Sequence, residues 1–248
     1  MNNLLKCLCF TIFLIGFNMI NPLLILTSTV VTLSNPIIKN GSTIENKPYH
    51  DYKTLPEAVI LRNNWKIFRE ETLNSYKNYS TILGDLYFET LVDKKKEWKK
   101  LYIKWHSGID PLARKLCPKT CQIIEKLPNV KVAMFSVLAP HSKIKIHRGF
   151  FKGIIRFHLG LATPNSDDCF IVVDNKKYSW RDGEAVLLDD TFLHYVENNT
   201  DQKRIILFCD IVRPTQGYAK ILNEFLIKFM APLSTRQNED KRVKNLIC

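Results

Sequence analysis

The sequence contains no internal repeat, which excludes solenoids and propellers. It has no signature of a nucleic-acid-binding module, so its formal charge of +12 is not read as a nucleic-acid footprint. A regular cysteine framework is missing too. The seven cysteines are odd in number and irregularly spaced, and Cys7 and Cys9 fall in an apolar stretch, which argues against a disulfide scaffold. Cys117 and Cys121 have no second Cys/His pair nearby to complete a zinc site, so ordinary thiols are expected there.

Charge is almost absent from residues 4–33, where Lys6 stands alone. The run exceeds the roughly 20 residues that span a bilayer and the roughly 7–15 of a signal-peptide core. Residues 1–33 are therefore expected to form an N-terminal transmembrane anchor. Asn18, Asn21 and Pro22 interrupt it, and a kinked single span, a re-entrant hairpin and a cleaved leader all fit. The flanking Lys/Arg residues slightly favour a cytoplasmic soluble part. Sequons at Asn40, Asn78 and Asn198 would matter only in a secretory lumen, so the side of the membrane stays open. The basic balance fits a solvated surface, or attraction to lipid headgroups or an acidic peptide.

The remainder is long enough for one domain. Residues 34–54, with Pro36, Gly41 and Pro48, read as a linker. A helix is expected from Leu55-Pro56-Glu57 through Glu71, with an imperfect apolar stripe at Val59, Ile60, Trp65, Phe68 and Leu73. Residues 76–105 are charged and aromatic, and Lys94-Lys95-Lys96 and Lys99-Lys100 read as an exposed face. Residues 111–127 suggest a second helix in which Pro118 must start or break a helix.

From Val130 the period falls to two. Val132, Met134, Ser136 and Leu138 alternate with Ala133, Phe135 and Val137. Strand-like runs follow at 143–147, 154–161, 169–173, 185–188 and 204–212, separated by turn residues such as Pro140, Gly153 and Asp182-Gly183. Many short strands with turns this close imply a sandwich or barrel. Ile221, Leu222, Phe225, Leu226 and Phe229 mark a last helix, packed on the barrel or lying on a membrane surface. The layout is an anchor at 1–33, a linker at 34–54, a folded domain at 55–232 and a polar tail at 233–248.

Within the β region, Arg156 and His158 point the same way, because a strand alternates its side chains. Inward polar groups are costly without partners, and a bound anion would supply one. Arg204 opens another strand, and its fork suits a carboxylate. His147 and His194 lie near strand ends, and imidazole nitrogens suit Fe(II) with open positions. The usual such site adds a carboxylate, often as His-x-Asp, but the matching position here is Gly149. On spacing alone, satisfied structural histidines are the safer reading. Asp189 and Asp190 either orient His194 or cap a turn.

Longer motifs decide between these readings. Asn64-Trp65 with Arg69-Glu70, Leu116-Cys117-Pro118, Phe135-Ser136, His147-Arg148, Arg156-x-His158-Leu159-Gly160-Leu161, Thr163-Pro164-Asn165, the run Tyr178 to Glu184, Glu197-Asn198-x-Thr200-Asp201 and the run Arg204 to Asp210 recur in order. The stretch from about Leu55 to Pro214 resembles the aspartyl/asparaginyl β-hydroxylase family, and within it most of all the lipid A 2-hydroxylase branch of Gram-negative bacteria. The resemblance implies a mainly β fold with flanking helices, a double-stranded β-helix or jelly roll. It implies dependence on Fe(II), 2-oxoglutarate and dioxygen. His147 and His194 match the iron ligands. Arg204 and Ser136 match residues that hold the distal carboxylate of 2-oxoglutarate, and Arg156 and His158 residues near its C1 carboxylate. The lipid A branch reads His-Arg-Asp where this chain reads His147-Arg148-Gly149; the peptidyl branch has glycine there and uses two protein ligands with water.

The expected function is thus hydroxylation of a membrane-associated substrate, either a lipid acyl chain or an Asp/Asn side chain of a protein. The rival from another class is a catalytically silent jelly-roll protein that keeps the anion pocket.

Overall fold

The computed structural model describes residues 22–79, 98–106 and 108–235. Helix α1 spans Pro22–Asn40 and is followed by the short strand β1, Tyr49–His50. Helices α2 (Pro56–Asn63) and α3 (Trp65–Tyr79) come next, then strands β2 (Trp98–Trp105) and β3 (Gly108–Ile109). Helices α4 (Pro111–Leu116) and α5 (Pro118–Glu125) precede the main run of strands. These are β4 (Val130–Leu138), β5 (Ser142–His147), β6 (Ile154–Ala162), β7 (Cys169–Val173), β8 (Lys176–Ser179), β9 (Ala185–Leu188), β10 (His194–Asn198) and β11 (Arg204–Val212). Helix α6, Gly217–Thr235, ends the described chain.

The strands form two sheets, β1-β9-β6-β11-β4-β2-β3 and β5-β10-β7-β8. From β4 onward the chain alternates between them, with β7 and β8 as the one hairpin kept within a sheet. That winding is a jelly roll, the double-stranded β-helix, with helices on one outer face.

Alternation along β4 divides its side chains between two cores. Phe135 and Val137 face the helix layer, where Leu61, Phe68, Cys117 and Ile124 join them. Leu138 faces the space between the sheets, with Trp98, Ile144, Trp180 and Ile206. The helix expected at 111–127 is two helices meeting at Cys117. Pro118 opens α5 as its first residue, where the missing N–H costs nothing. The Glu71 carboxylate caps that end, accepting from the Lys119 and Thr120 amides at 2.9 and 2.7 Å.

Three expectations change. Lys99-Lys100 belongs to a strand beside β4, and Lys100 is buried with its ammonium 3.6 Å from the Trp98 ring centroid. Lys94-Lys95-Lys96 lies outside the described residues. The stretch expected as a linker, 34–54, holds the end of α1, the β1 strand paired with β9, and a 3-10 turn at Tyr52–Thr54. The expected anchor changes most. Among the described residues no helix is long and apolar enough to cross a membrane. The second half of that apolar run forms part of α1, which buries Val31 and Ile38 against Phe151, Leu226 and Ile227. Asn35 fixes it further, donating to the Phe150 carbonyl and accepting from the Lys152 amide, both at 2.8 Å. Residues 1–21 lie outside the described part. Cys117 and Cys121 are free and buried, with burial pushing their thiols up to about 11 and about 12, so they behave as core side chains.

Candidate active site

The two histidines meet through strand pairing. His194 opens β10 directly opposite His147, the last residue of β5. Their ring centroids lie 4.1 Å apart. His147 donates from Nδ1 to the Lys145 carbonyl at 2.7 Å, and His194 from Nδ1 to the Phe192 carbonyl at 2.9 Å. A carbonyl only accepts, so each ring is fixed with its lone pair on Nε2, the tautomer a metal ligand needs. Burial holds His147 below the ordinary imidazole range; burial and then the neighbouring ring push His194 down to about 3. Both are therefore neutral and ready to ligate at neutral pH. Among the described residues no third His, Cys, Asp or Glu completes a metal-binding group with them.

Across the cavity sits an unbalanced cation. Arg204 is buried, 2% exposed. Among the described residues it meets the Ser136 hydroxyl, 3.1 Å from Nη2, and the Trp180 ring, 4.6 Å below the guanidinium carbon. Trp98 Nε1 donates to the same hydroxyl at 2.9 Å. Among the described residues Arg204 Nε has no partner and no carboxylate neutralises the group; burial pushes its pKa down to about 10. His158 is buried with both ring nitrogens unpaired, packed against Trp180 and Phe208. A guanidinium without a counter-charge and an imidazole without a hydrogen-bond partner, both at nine-tenths burial or more, are costly. Ser136, His147, His158, His194 and Arg204 line one cavity of about 40 Å³, together with Ile144, Ile171, Val196 and Ile206. A larger cavity of about 670 Å³, lined by Arg69, Tyr76, Thr163 and Lys203, contains no histidine pair. The smaller one holds the chemistry.

Arg156 does turn toward that cavity beside His158, as strand alternation requires. Its charge, however, is already answered. Asp190 lies 2.8 Å from Nη1, and Asp210, its cross-strand partner, 2.9 Å from Nε. Burial opposes its charge, but the two carboxylates outweigh burial and hold its pKa above the ordinary value. Arg156, which the resemblance matches to a residue near the C1 carboxylate, thus lines the cavity as the centre of a buried ion-pair cluster. Burial raises the pKa of Asp190 and Asp210, and Arg156 opposes the rise.

Asp190 and Asp189 were legible only as alternatives, and both have specific positions. A Cβ on Gly149 would overlap the Asp190 carboxylate, and the Gly149 amide donates to the Asp190 carbonyl at 2.7 Å. The place where a side chain at 149 would start is thus filled from another loop. Asp189 is buried between Arg213 and Lys152, with Lys152 Nζ at 2.6 Å. Its partners lie 24 and 37 positions away in sequence, a distance over which spacing gives no signal.

Gly149→Asp is therefore not expected to build a third ligand. Its side chain must displace Asp190 from Arg156, at a cost of about 1–3 kcal/mol. The expected result is a lower Tm and no tighter metal binding; tighter binding in the single variant would show that the space is not taken. Acid should also weaken the fold. The folded pKa values of His147, His158 and His194 lie below the unfolded value near 6.5. The unfolded chain then takes up protons that the folded chain refuses, so stability is full above about pH 6.5 and falls as pH drops below it. Asp190 and Asp210 act in the opposite sense nearer the carboxylate range. Denaturant midpoints measured from pH 7.5 down to pH 5 should decline; a flat profile would contradict the buried, neutral state of these rings.

Residues 62–214 match the model of the aspartyl/asparaginyl β-hydroxylase family. The chain belongs to that family. A similar protein is the ornithine lipid ester-linked acyl 2-hydroxylase of Rhizobium tropici, 29% identical over 205 residues, 79% of this chain and 71% of that one. The human aspartyl/asparaginyl β-hydroxylase is 28% identical over 160 residues, covering 62% of this chain but only 21% of its own length. Among solved structures, a Pseudomonas putida prolyl-4-hydroxylase aligns over 76% of this chain and 99% of its own, with a TM-score of 0.43 and 14% identity.

Proposed function

We propose that this hydroxylase-family chain depends on Fe(II) and 2-oxoglutarate and acts on a lipid acyl chain. The observation that carries the reading is the buried, carboxylate-free Arg204 lining the same cavity as two histidines whose Nε2 atoms are open. A dicarboxylate suits both ends of that arrangement.

The residues fit the two groups. His147 and His194 would hold the ion, and Gly149 adds no ligand of its own. Fe(II) with 2-oxoglutarate and dioxygen supplies the oxidising chemistry that places an oxygen on a C–H bond. Every other contribution belongs to the chain. Arg204 and the Ser136 hydroxyl bind the distal carboxylate, with charge-assisted hydrogen bonds in a site of low polarity. Trp98 holds that hydroxyl in place. The Lys145 and Phe192 carbonyls keep both imidazoles in one tautomer and one orientation. His158 offers an unpaired ring nitrogen beside Arg204. Ile144, Ile171, Val196 and Ile206 keep water from the reacting carbon. A five-carbon diacid is larger than the cavity as it stands, so its entry displaces side chains.

Support for an acyl substrate comes from the Rhizobium relative, which shares most of this chain, where the human relative shares a fifth of its own length. The test is incubation with Fe(II), 2-oxoglutarate and dioxygen, with succinate measured and extracted lipids and Asp/Asn peptides weighed by mass spectrometry. The expected result is succinate together with one added oxygen on an acyl chain. An added oxygen on the peptides alone would reject the lipid reading, and equal succinate from His194→Ala would reject the iron-dependent one.

A further inference from the structure

Helix α6 has three faces rather than two. Ala219, Asn223, Leu226 and Ile227 are buried against the body. Lys220, Glu224 and Lys228 form a charged strip. The third face is apolar and open: Tyr218, Ile221, Phe225 and Phe229 are 89, 67, 53 and 55% exposed. Their spacing of three, four and four places them on one stripe. An amphipathic helix of a soluble domain needs only the buried face and the charged one.

Helix α1 repeats the arrangement. Val31, Ser34 and Ile38 are buried, while Val30, Leu33 and Ile37 are exposed at the spacing three and four. The two helices share a core through Ile38, Phe151 and Leu226, so their open stripes belong to one region of the surface. Phe150, 62% exposed, extends it. Its carbonyl is held by Asn35 of α1, and it lies three residues after His147. Exposed apolar side chains thus stand on three elements held to one another: α6, α1 and the loop leaving the histidine pair. Large apolar side chains left open on neighbouring elements mark an interaction surface.

Charge names the occupant. Residues 22–40 and 145–153 contain no acid, and residues 216–230 contain only Glu224. Lys39, Arg148, Lys220 and Lys228 are exposed there. Apolar side chains ringed by lysine and arginine suit an anionic lipid surface, where the rings enter the acyl boundary and the cations meet the headgroups. The chain that precedes α1 is itself apolar, with Lys6 its only charge before residue 22.

We infer that the α1/α6 face, with Phe150, docks on an anionic bilayer. The docking stands on this surface alone. That the docked enzyme draws its acyl substrate from the same bilayer rests on the hydroxylase reading above.

Phe225→Trp and Phe150→Trp, each in the full chain, test the docking directly. The probe is vesicles of dibrominated phosphatidylcholine and phosphatidylglycerol, since bromine in the acyl region quenches an inserted indole. Both variants should be quenched beyond the unsubstituted chain. Lys115→Trp, in α4 on the helix layer, should not be. Phe225→Ser should weaken vesicle binding roughly tenfold, and salt should weaken it further. If the full chain sediments with vesicles while neither new tryptophan is quenched, the proposal is overturned. A dimer that Phe225→Ser dissolves, with no quenching, would overturn it in favour of a second copy. Turnover of 2-oxoglutarate without vesicles is read separately. Turnover without quenching defeats the docking alone; quenching without turnover supports the docking and defeats the hydroxylase reading.

Discussion

Arg204→Met is expected to lose cosubstrate binding and gain stability. The guanidinium is 2% exposed, lacks a carboxylate partner and leaves Nε unpaired. Among the described residues its desolvation is offset by one hydroxyl and a stacked indole. An apolar side chain of similar length removes the uncompensated charge, a change worth about 1–3 kcal/mol to the fold and a Tm higher by several degrees. The same change removes the anchor for the distal carboxylate. Because hydrogen bonds to charged groups each carry about 1.5–3 kcal/mol, the KM for 2-oxoglutarate should rise roughly 100-fold. Calorimetric melting and a steady-state titration check the two halves. A residue kept for structure would lose both stability and function; one kept to meet an anion separates them.

Arg156→Met should show the reverse. Removing this guanidinium leaves Asp190 and Asp210 buried side by side without a counter-charge. Breaking a buried ion pair from one side costs about 3–5 kcal/mol, so the Tm should fall by about 10 °C. Acid should relieve part of the loss, because the two carboxylates can then take up protons. The combined variant Arg156→Met, Asp190→Asn, Asp210→Asn should recover most of the stability. If Arg156→Met melted like the parent while raising the KM for 2-oxoglutarate, Arg156 would be an anion ligand after all, and the two arginines would have been assigned the wrong way round.

The contrast between these arginines shows where sequence reading stops. Both stand on strands and both turn inward, which period-two alternation makes visible. What separates them is whether a carboxylate waits nearby. Asp210 reaches Arg156 across 54 positions and Asp190 through a loop, and no local pattern records such pairings. The histidine pair was readable as two isolated side chains near strand ends. Their juxtaposition needed the register of β5 against β10. The positions of most strands from β4 onward were legible from short alternating runs punctuated by Gly, Pro and Asp, while their jelly-roll winding came from the family resemblance. Strand β2 was not, because Lys99 and Lys100 mask its alternation, although the buried ammonium of Lys100 lies over the Trp98 ring. Helix α1 was hidden for a related reason. An apolar run without charge reads as a lipid span, whereas Val31 within it and Asn35 just after it serve contacts to the folded domain. Gly149 was noticed as a missing side chain; that Asp190 fills its place could be known only from the packed loops.

The most direct test of the two-histidine site is an anaerobic titration of the full chain with Fe(II) and 2-oxoglutarate, followed by the visible charge-transfer absorption of an iron–keto acid chelate. The parent protein should develop the band with a single equivalent of iron, His147→Ala and His194→Ala should not, and Arg204→Met should need far more 2-oxoglutarate to reach it. A band of equal strength and affinity in His194→Ala, or none in the parent at saturating concentrations, would contradict the site described above.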